Sequence, residues 1–304
     1  MEKFELNILG CGSALPTMRH LPTSQVLNVR DKLFMIDCGE GAQLQLRKMR
    51  LKFSRINHIF LSHLHGDHCF GIAGLLSTLG LLGRHGEFYI HTHPEAEKIF
   101  RPFLDYFCYE LPFKVIFEPL PVGDSSLIYE DKSIEVTSFP LKHRVPSNGF
   151  VFKEKQGLRH LNAEMVKFWK VPIKDLQMIK EGHDWVDADG NIVPNKVLTK
   201  DASISRSYAF CSDTAYYEKI IPFIEGVDLL YHEATFAEDA KFRAMQTFHS
   251  TARQAAQIAL KAGVKKLLIG HYSARYDDDK MIFEEAKSVF NNTIAAKEEM
   301  KIII

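Results

Sequence analysis

The order of patterns along this 304-residue chain predicts an α/β protein in which two central β-sheets carry helices on their outer sides. Three observations lead there. Short apolar strands alternate with helical patterns near the start of the chain and again towards its end. Between these stretches, from about residue 113 to 153, strands follow one another with no helix. A segment of different texture, 153–200, is then inserted before the second alternation, so one doubly wound sheet fits less well than two sheets.

The elements can be read in order. "FELNILG" alternates Phe4, Leu6 and Ile8, a half-buried strand that ends in the glycine-rich "GCGSALP". "QVLNVRDKLFMIDCGEG" gives two strands around the polar "RDK", a hairpin. "EGAQLQLRKMR" (40–50) is helical, and "INHIFLSH" is a short strand of β-branched and aromatic residues. "DHCFGIAGLLSTLGLLG" reads as one apolar helix, "EFYIHTH" as a strand, and "PEAEKIFRPFLDYF" as a helix opened by proline. The strands "KVIFEPL", "SLIYE", "SIEVTSFPLKH" and "SNGFVFKE" follow. Residues 153–200 hold two short amphipathic helical patterns and a turn at "DADGN". Then come strand "YAFCSDT", helix "YYEKIIPFIEG", strand "VDLLYHEAT", helix "HSTARQAAQIALKAG", strand "KKLLIGHYS" and helix "DDKMIFEEAKSVF". There is no internal repeat and no low-complexity tract.

Composition narrows the class of protein. Residues are 46 % hydrophobic and 25 % charged, as in ordinary globular proteins, and formal net charge is zero. A polyanionic partner must therefore be met by a local basic patch rather than by overall charge. The five cysteines (Cys11, Cys38, Cys69, Cys108 and Cys211) are odd in number and form no CxxC pair, which suits reduced thiols in the cytosol. The N-terminus lacks the basic and apolar regions of a signal peptide, and no apolar run reaches the ~18–20 residues of a membrane span. A cytoplasmic location without a membrane partner is the expectation.

The chemistry concentrates in "IFLSHLHGDHCFG", residues 59–71. His63 and His65 are two apart, about 200° around a helix axis, so they converge only from a loop or a strand end. Asp67 and His68 start the following helix, where the chain can turn both towards the same pocket. This H-x-H-x-D-H run is the loop counterpart of the helical HExxH motif. Its nitrogen and carboxylate donors suit Zn²⁺, with Mn²⁺ and Fe²⁺ open by ligand type. A merely histidine-rich surface loop would not sit between two apolar elements. A structural zinc site would favour cysteines, and none of the five is suitably spaced.

Further donors close apolar strands elsewhere: His143 after "EVTSFPLK", Asp213 after "YAFCS" and His271 after "KKLLIG". Each alone would pass for a capping or surface residue. Together with the cluster they supply seven ligands, enough for two metal ions if one carboxylate bridges. His63, His65, His143 and Asp213 would hold the first ion, and Asp67, His68, Asp213 and His271 the second, with a shared hydroxide. Two metals ~3.5–4 Å apart clamp the attacking and leaving oxygens of a phosphoryl displacement.

These residues resemble the metallo-β-lactamase superfamily, and within it the ribonuclease Z family. Further matches are "NILGCGSALPT", "FMIDCGEGAQLQL", "FPLKHRVPSNGF", "YAFCSDTAY", "HEATF", "HST" and "IGHYSARY", which span residues ~5 to ~278 in the family's order. The resemblance implies one domain over 1–304, a four-layer αβ/βα sandwich of two mixed sheets, with a protruding arm at 153–200 that grips the body of tRNA. It implies two Zn²⁺ per subunit bridged by Asp213 and a hydroxide. The activity it implies is an endoribonuclease that cuts tRNA precursors after the discriminator base, leaving a 3′-hydroxyl on the tRNA and a 5′-phosphate on the trailer. Asp67 would be both ligand and general base, with Asp37 supporting the histidines from behind. His249 would protonate the departing 3′-oxygen, and Arg275 would contact a phosphate. His232 and Glu233 are adjacent to the site without an assigned role. The resemblance also implies a homodimer with tRNA precursors as partners, and no DNA.

His249 also has a local frame of its own, because it precedes a helix that Ser250 or Thr251 can cap. The arm's charges divide: seven basic residues against three acids from Lys153 to Lys180, then four acids and no Lys or Arg over 181–189. Such a block could place phosphates on one face and repel them from the other, although charge runs are often just solvated. Two other readings differ in class. A small-molecule hydrolase of the same fold, such as a phosphodiesterase, would have no use for the arm. An RNA-binding protein with a degenerate site would be expected to have lost ligands, and here the set is complete.

Overall fold

The structure is a computed structural model, and it describes residues 3–108, 110–202 and 204–304. Strands β1 (Phe4–Gly10), β2 (Ser24–Val29), β3 (Lys32–Cys38), β4 (Ile56–Phe60), β5 (Glu87–Thr92) and β6 (Lys114–Pro119) come first. β7 (Ser126–Glu130), β8 (Ile134–Pro140) and β9 (Asn148–Glu154) follow. Four two-residue strands, β10 (His160–Leu161), β11 (Trp185–Val186), β12 (Ile192–Val193) and β13 (Thr199–Lys200), lie in the inserted segment. The last are β14 (Ser207–Cys211), β15 (Leu229–Glu233), β16 (Leu267–Gly270), β17 (Thr293–Ala295) and β18 (Lys301–Ile303).

These strands form two mixed seven-stranded sheets, ordered β18-β1-β2-β3-β4-β5-β6 and β17-β16-β15-β14-β9-β8-β7. The fold class is therefore the one expected, two mixed sheets flanked by helices. The hairpin between β2 and β3 turns on Arg30 and Asp31, both at positive φ, and Asn28 Oδ1 accepts the Asp31 amide at 3.0 Å. Phe34, Phe60, Phe150, Phe152, Tyr208 and Phe210 are fully buried in the main core, and the Phe60 and Phe150 rings, one from each sheet, meet edge-on at 5.8 Å. Each such side chain is worth about 1.5–3 kcal/mol of transfer free energy, so the inner faces hold the sheets together. The outer face of the first sheet packs Leu46, Ile72, Leu75 and Leu76 from the helices Ala42–Lys48 and Ile72–Leu81.

Three expectations need correction. The helix read through residues 67–83 is broken into Gly66–Cys69 and Ile72–Leu81, because Gly71 lies against the backbone of the turn after β3. A Cβ there would stand 2.2 Å from the Gly39 carbonyl oxygen, so the chain needs glycine and a change of direction. The helix Ala96–Phe107 begins past Pro94 and carries Pro102 in its interior. The helix read at "YYEKIIPFIEG" shrinks to a 3₁₀ turn, Glu218–Ile220, followed by Ile221–Ile224.

β3, β4, β5 and β6 run parallel, as do β14, β15, β16 and β17. Loops leaving the C-terminal ends of β4, β14, β15 and β16 carry His63–His68, Asp213, Thr235 and His271. No helix among the described residues is long and apolar enough to cross a membrane, and all five cysteines are free.

The chain divides into two compact units, one of residues 1–153 with 206–304, the other 154–205. The smaller unit has its own core of Val171, Ile179, Trp185, Val193 and Leu198. Asn195 ties it internally by donating from Nδ2 to the Ile179 and His183 carbonyls, both at 2.7 Å, and Trp185 Nε1 donates to Asp175 at 3.0 Å. Asp187 caps its turn by accepting the Asp189 and Asn191 amides.

Candidate metal centre

The seven donors read from the sequence come together in the larger unit. His63, His65, His143 and Asp213 have ligand atoms within 4.8 Å of one another, and Asp67, His68 and His271 form a second such group. In the first, His63 Nε2 is 3.0 Å and His143 Nε2 is 3.3 Å from His65 Nδ1, while Asp213 Oδ2 lies 3.8 Å from His63 Nε2 and 3.9 Å from His143 Nε2. In the second, His68 Nε2 is 3.4 Å from Asp67 Oδ2, and His271 Nε2 is 3.5 Å from it. Asp213 turns its other oxygen, Oδ1, to this group, 3.4 Å from His68 Nε2 and 3.1 Å from His271 Nε2. One carboxylate thus faces both groups.

The far sides of the rings are anchored in the framework. His68 Nδ1–H donates to Asp37 Oδ2 at 2.6 Å, and the fully buried Asp37 also accepts the Ser62 amide (2.7 Å) and hydroxyl (2.8 Å). His143 Nδ1–H donates to the Phe248 carbonyl at 3.0 Å, and His271 Nδ1–H to Thr235 Oγ1 at 2.8 Å. His63 Nδ1 lies 3.0 Å from Ser62 Oγ. Each ring therefore aims its other nitrogen lone pair inward, as outer hydrogen bonds arrange in metal sites. Asp37 and His271 adopt left-handed backbone (φ 54° and 63°), a conformation costing about 1–3 kcal/mol outside glycine and typical of functional sites.

Three inward atoms, Asp67 Oδ2, His68 Nε2 and His271 Nε2, are buried without any hydrogen-bond partner among the described residues. Leaving such groups unpaired costs about 1–3 kcal/mol each, more when charged, so their convergence calls for a cation. Donors about 2.0–2.1 Å from a tetrahedral ion stand about 3.3 Å apart, and the spacings above scatter around that. Electrostatics agree. Burial and the neighbouring His68 hold His63 well below the usual histidine range, and burial lowers His65 and His143, so all three are neutral donors. Burial opposes charge on His68, but Asp213, Asp37 and Asp67 outweigh it and raise that histidine strongly. The same negative charge that draws a proton there would draw a divalent ion. The residues fit a metal centre.

Glu233, which closes β15, was left without a role by the sequence, and the structure makes it a hub. It is fully buried; Oε1 accepts the Thr214 amide (2.8 Å) and His249 Nδ1–H (2.9 Å), while Oε2 accepts the Ser250 amide (3.1 Å) and the Thr235 hydroxyl. Thr235 in turn receives His271, so one carboxylate orients both His249 and His271. Burial works against charge on His249, yet Glu233 and Asp213 raise it to about 9. Thr251 caps the helix Ala252–Lys261 in a capping box with Gln254. His232 points elsewhere: it is buried, its Nδ1 donates to the Glu233 carbonyl, and its Nε2 has no partner.

The groups open into a groove of about 490 Å³ that reaches Arg144, Phe236, Arg243 and Thr247. Arg275 is not among its lining residues; its guanidinium lies over the Phe236 ring, 5.3 Å from the centroid. Arg144, Arg243 and Thr235 were missed by the sequence reading. "HEATF" held the only signal for Thr235.

Comparison with known proteins now identifies the architecture. Residues 4–158 match a family model described as Anti-Pycsar protein Apyc1. A ribonuclease Z of Phocaeicola vulgatus is 55 % identical over 304 residues, covering 100 % of this chain and 98 % of that protein. The human tRNase Z short form superposes with a TM-score of 0.72 at 26 % identity, covering 99 % of each chain. The metallo-β-lactamase fold protein YhfI of Bacillus subtilis, at 18 % identity and a TM-score of 0.70 over 99 % of each chain, shares the fold. The chain adopts the metallo-β-lactamase fold and, sharing residues 4–158 with the Apyc1 model, belongs over its full length to the ribonuclease Z family.

Proposed function

We propose that this chain is a zinc-dependent endoribonuclease that removes the 3′ trailer from tRNA precursors, cutting after the discriminator base. The observation that carries the reading is the convergence of buried, unpartnered Asp67 Oδ2, His68 Nε2 and His271 Nε2 beside the His249–Glu233 pair. His63, His65, His143 and Asp213 would hold one ion, and Asp67, His68, Asp213 and His271 a second. When bound, the ions would lower the pKa of water and offset negative charge on the phosphodiester.

The chain's own residues divide the remaining work. Asp67, held well below the usual carboxylate range because His68 and His271 outweigh its burial, is ionised and can accept a proton from the attacking water. Asp37 fixes the His68 ring. Glu233 accepts Nδ1–H of His249 and so keeps Nε2–H available. With its pKa near 9, His249 carries that proton at neutral pH and can give it to the departing 3′-oxygen. A 3′-hydroxyl on the tRNA and a 5′-phosphate on the trailer follow. The arm, residues 153–200, would grip the tRNA body through its basic stretch, Arg275 would meet a phosphate, and the protein would work in the cytoplasm as a homodimer.

End-group analysis tests the chemistry. Cleaved precursor should yield tRNA that accepts ligation at a free 3′-hydroxyl, and a trailer that a 5′-phosphate-dependent exonuclease degrades. A 2′,3′-cyclic phosphate would instead mean attack by the RNA's own 2′-hydroxyl and would overturn the assignment of Asp67.

A further inference from the structure

The groove carries two arginines that the chemistry above does not use. Arg144 directly follows His143. Arg243 lies on the helix Lys241–Thr247, four residues before Thr247, and both face the groove. Both arginines are exposed, and among the described residues neither guanidinium has an ion pair or hydrogen bond. By contrast, Arg19, Arg84, Arg101 and Arg159 are each bound to a carboxylate or a carbonyl. Apart from Asp67 and Asp213, which face the metal groups, no acidic residue among the described residues lines the groove. Besides His249, which the proposed reaction already uses, the groove's remaining charge is two guanidiniums, the side chain best suited to bidentate capture of phosphate oxygens.

Their position is also defined. His143 donates to the Phe248 carbonyl at 3.0 Å, and the His249 amide donates to the Ala244 carbonyl at 2.9 Å. The loop bearing Arg144 and the helix bearing Arg243 are therefore tied to the turn that presents His249. In the proposed reaction His249 faces the leaving 3′-oxygen, which belongs to the retained tRNA.

We infer that Arg144 and Arg243 form a phosphate clamp for the RNA strand on the 5′ side of the cut, holding the internucleotide phosphate next to the discriminator nucleotide. This rests on the ribonuclease reading. The clamp makes a polynucleotide, rather than a single phosphodiester, the substrate the groove is built for.

The test compares the wild type, Arg144→Gln, Arg243→Gln, the double variant and a charge control, Lys132→Gln with Lys219→Gln. Substrates are a precursor tRNA with a long trailer and the same precursor with a one-nucleotide trailer. The double variant should raise KM about ten-fold or more on both substrates, with kcat changing far less. The slope of log KM against log salt should flatten by about 0.7 for each phosphate that is no longer neutralised. The charge control should do neither, and circular dichroism should report the same fold in all variants.

An unchanged KM and salt slope would overturn the clamp. A KM effect confined to the long trailer would overturn its placement on the 5′ side. If the wild type cuts neither precursor yet hydrolyses bis-p-nitrophenyl phosphate, the ribonuclease reading itself falls and the clamp falls with it. That pattern differs from the other two.

Discussion

Two clusters in the larger unit gather histidine and carboxylate donors within the same distance of one another and satisfy them differently. Asp67, His68 and His271 form one; Cys11, His20 and Glu298 form the other, and both keep their ligand atoms within 4.8 Å. In the first, three inward polar atoms lack any partner. In the second every polar atom is engaged. His20 donates from Nε2 to Asp279 at 2.9 Å and from Nδ1 to Glu298 at 3.0 Å. Glu298 also accepts the Leu21 amide at 2.9 Å, and the Cys11 thiol lies 3.5 Å from the Ala296 carbonyl. Proximity of histidine, carboxylate and thiol is therefore not a metal site. What marks one is donors whose far sides are tied down and whose near sides have nothing to bind. The second cluster is a charged staple joining the loop after β1 to the segments around residues 279 and 298.

The comparison can be broken most sharply by metal content. Asp213→Ala removes the carboxylate shared by both groups, and it should strip most bound metal and lower precursor cleavage by at least about 10³-fold. Cys11→Ser, by contrast, should leave the metal-to-protein ratio unchanged by atomic emission. A variant Cys11→Ser that loses an ion would make the staple a metal site and erase the distinction.

His249→Ala should keep its full metal complement while kcat falls about 10²–10⁴-fold, the usual range for a lost general acid. Glu233→Gln should lower kcat by a smaller factor and also cost about 1–3 kcal/mol of stability, because its amide nitrogen cannot accept the two donors that now meet one carboxylate oxygen. If His249→Ala lost metal instead, its place outside the donor set would be wrong.

The staple should show itself in stability, not activity. His20→Gln leaves Asp279 and Glu298 without their shared cation and should cost about 1–3 kcal/mol in urea unfolding. Burial opposes charge on His20, but hydrogen bonds to Asp279 and Glu298 raise it from 6.5 to about 9. Because the folded value lies above the unfolded one, the contribution is full below pH ~6.5 and fades as pH rises through 9. The wild-type urea midpoint should therefore fall between pH 7 and 10 more steeply than that of His20→Gln. Equal slopes would show that His20 carries no charge in the fold.

Much of this site could be read from the chain because strand ends are local features. An apolar run followed by a titratable residue located His143, Asp213 and His271, and the H-x-H-x-D-H spacing located the rest. What the sequence hid depends on distant backbone. Thr235 looks like any threonine until Glu233 and His271 flank it. Arg144 and Arg243 are two of many surface arginines until the groove brings them to one rim. The break at Gly71 follows from its packing against Gly39, over thirty residues earlier. The strand Lys301–Ile303 carries only three residues of pattern, and its pairing with β1 across nearly the whole chain left no local trace. Cys11, His20 and Glu298 likewise meet only in the folded state.

The central claim is that the unpartnered donors form a metal centre for cutting RNA. It is tested most directly by incubating the purified protein with a 3′-extended tRNA precursor, with and without a chelator, beside Asp67→Ala. The account predicts one cut after the discriminator base, abolished by the chelator, restored by added zinc and absent in the variant. Intact RNA alongside hydrolysis of a simple phosphodiester, or cleavage that survives both the chelator and Asp67→Ala, would contradict it.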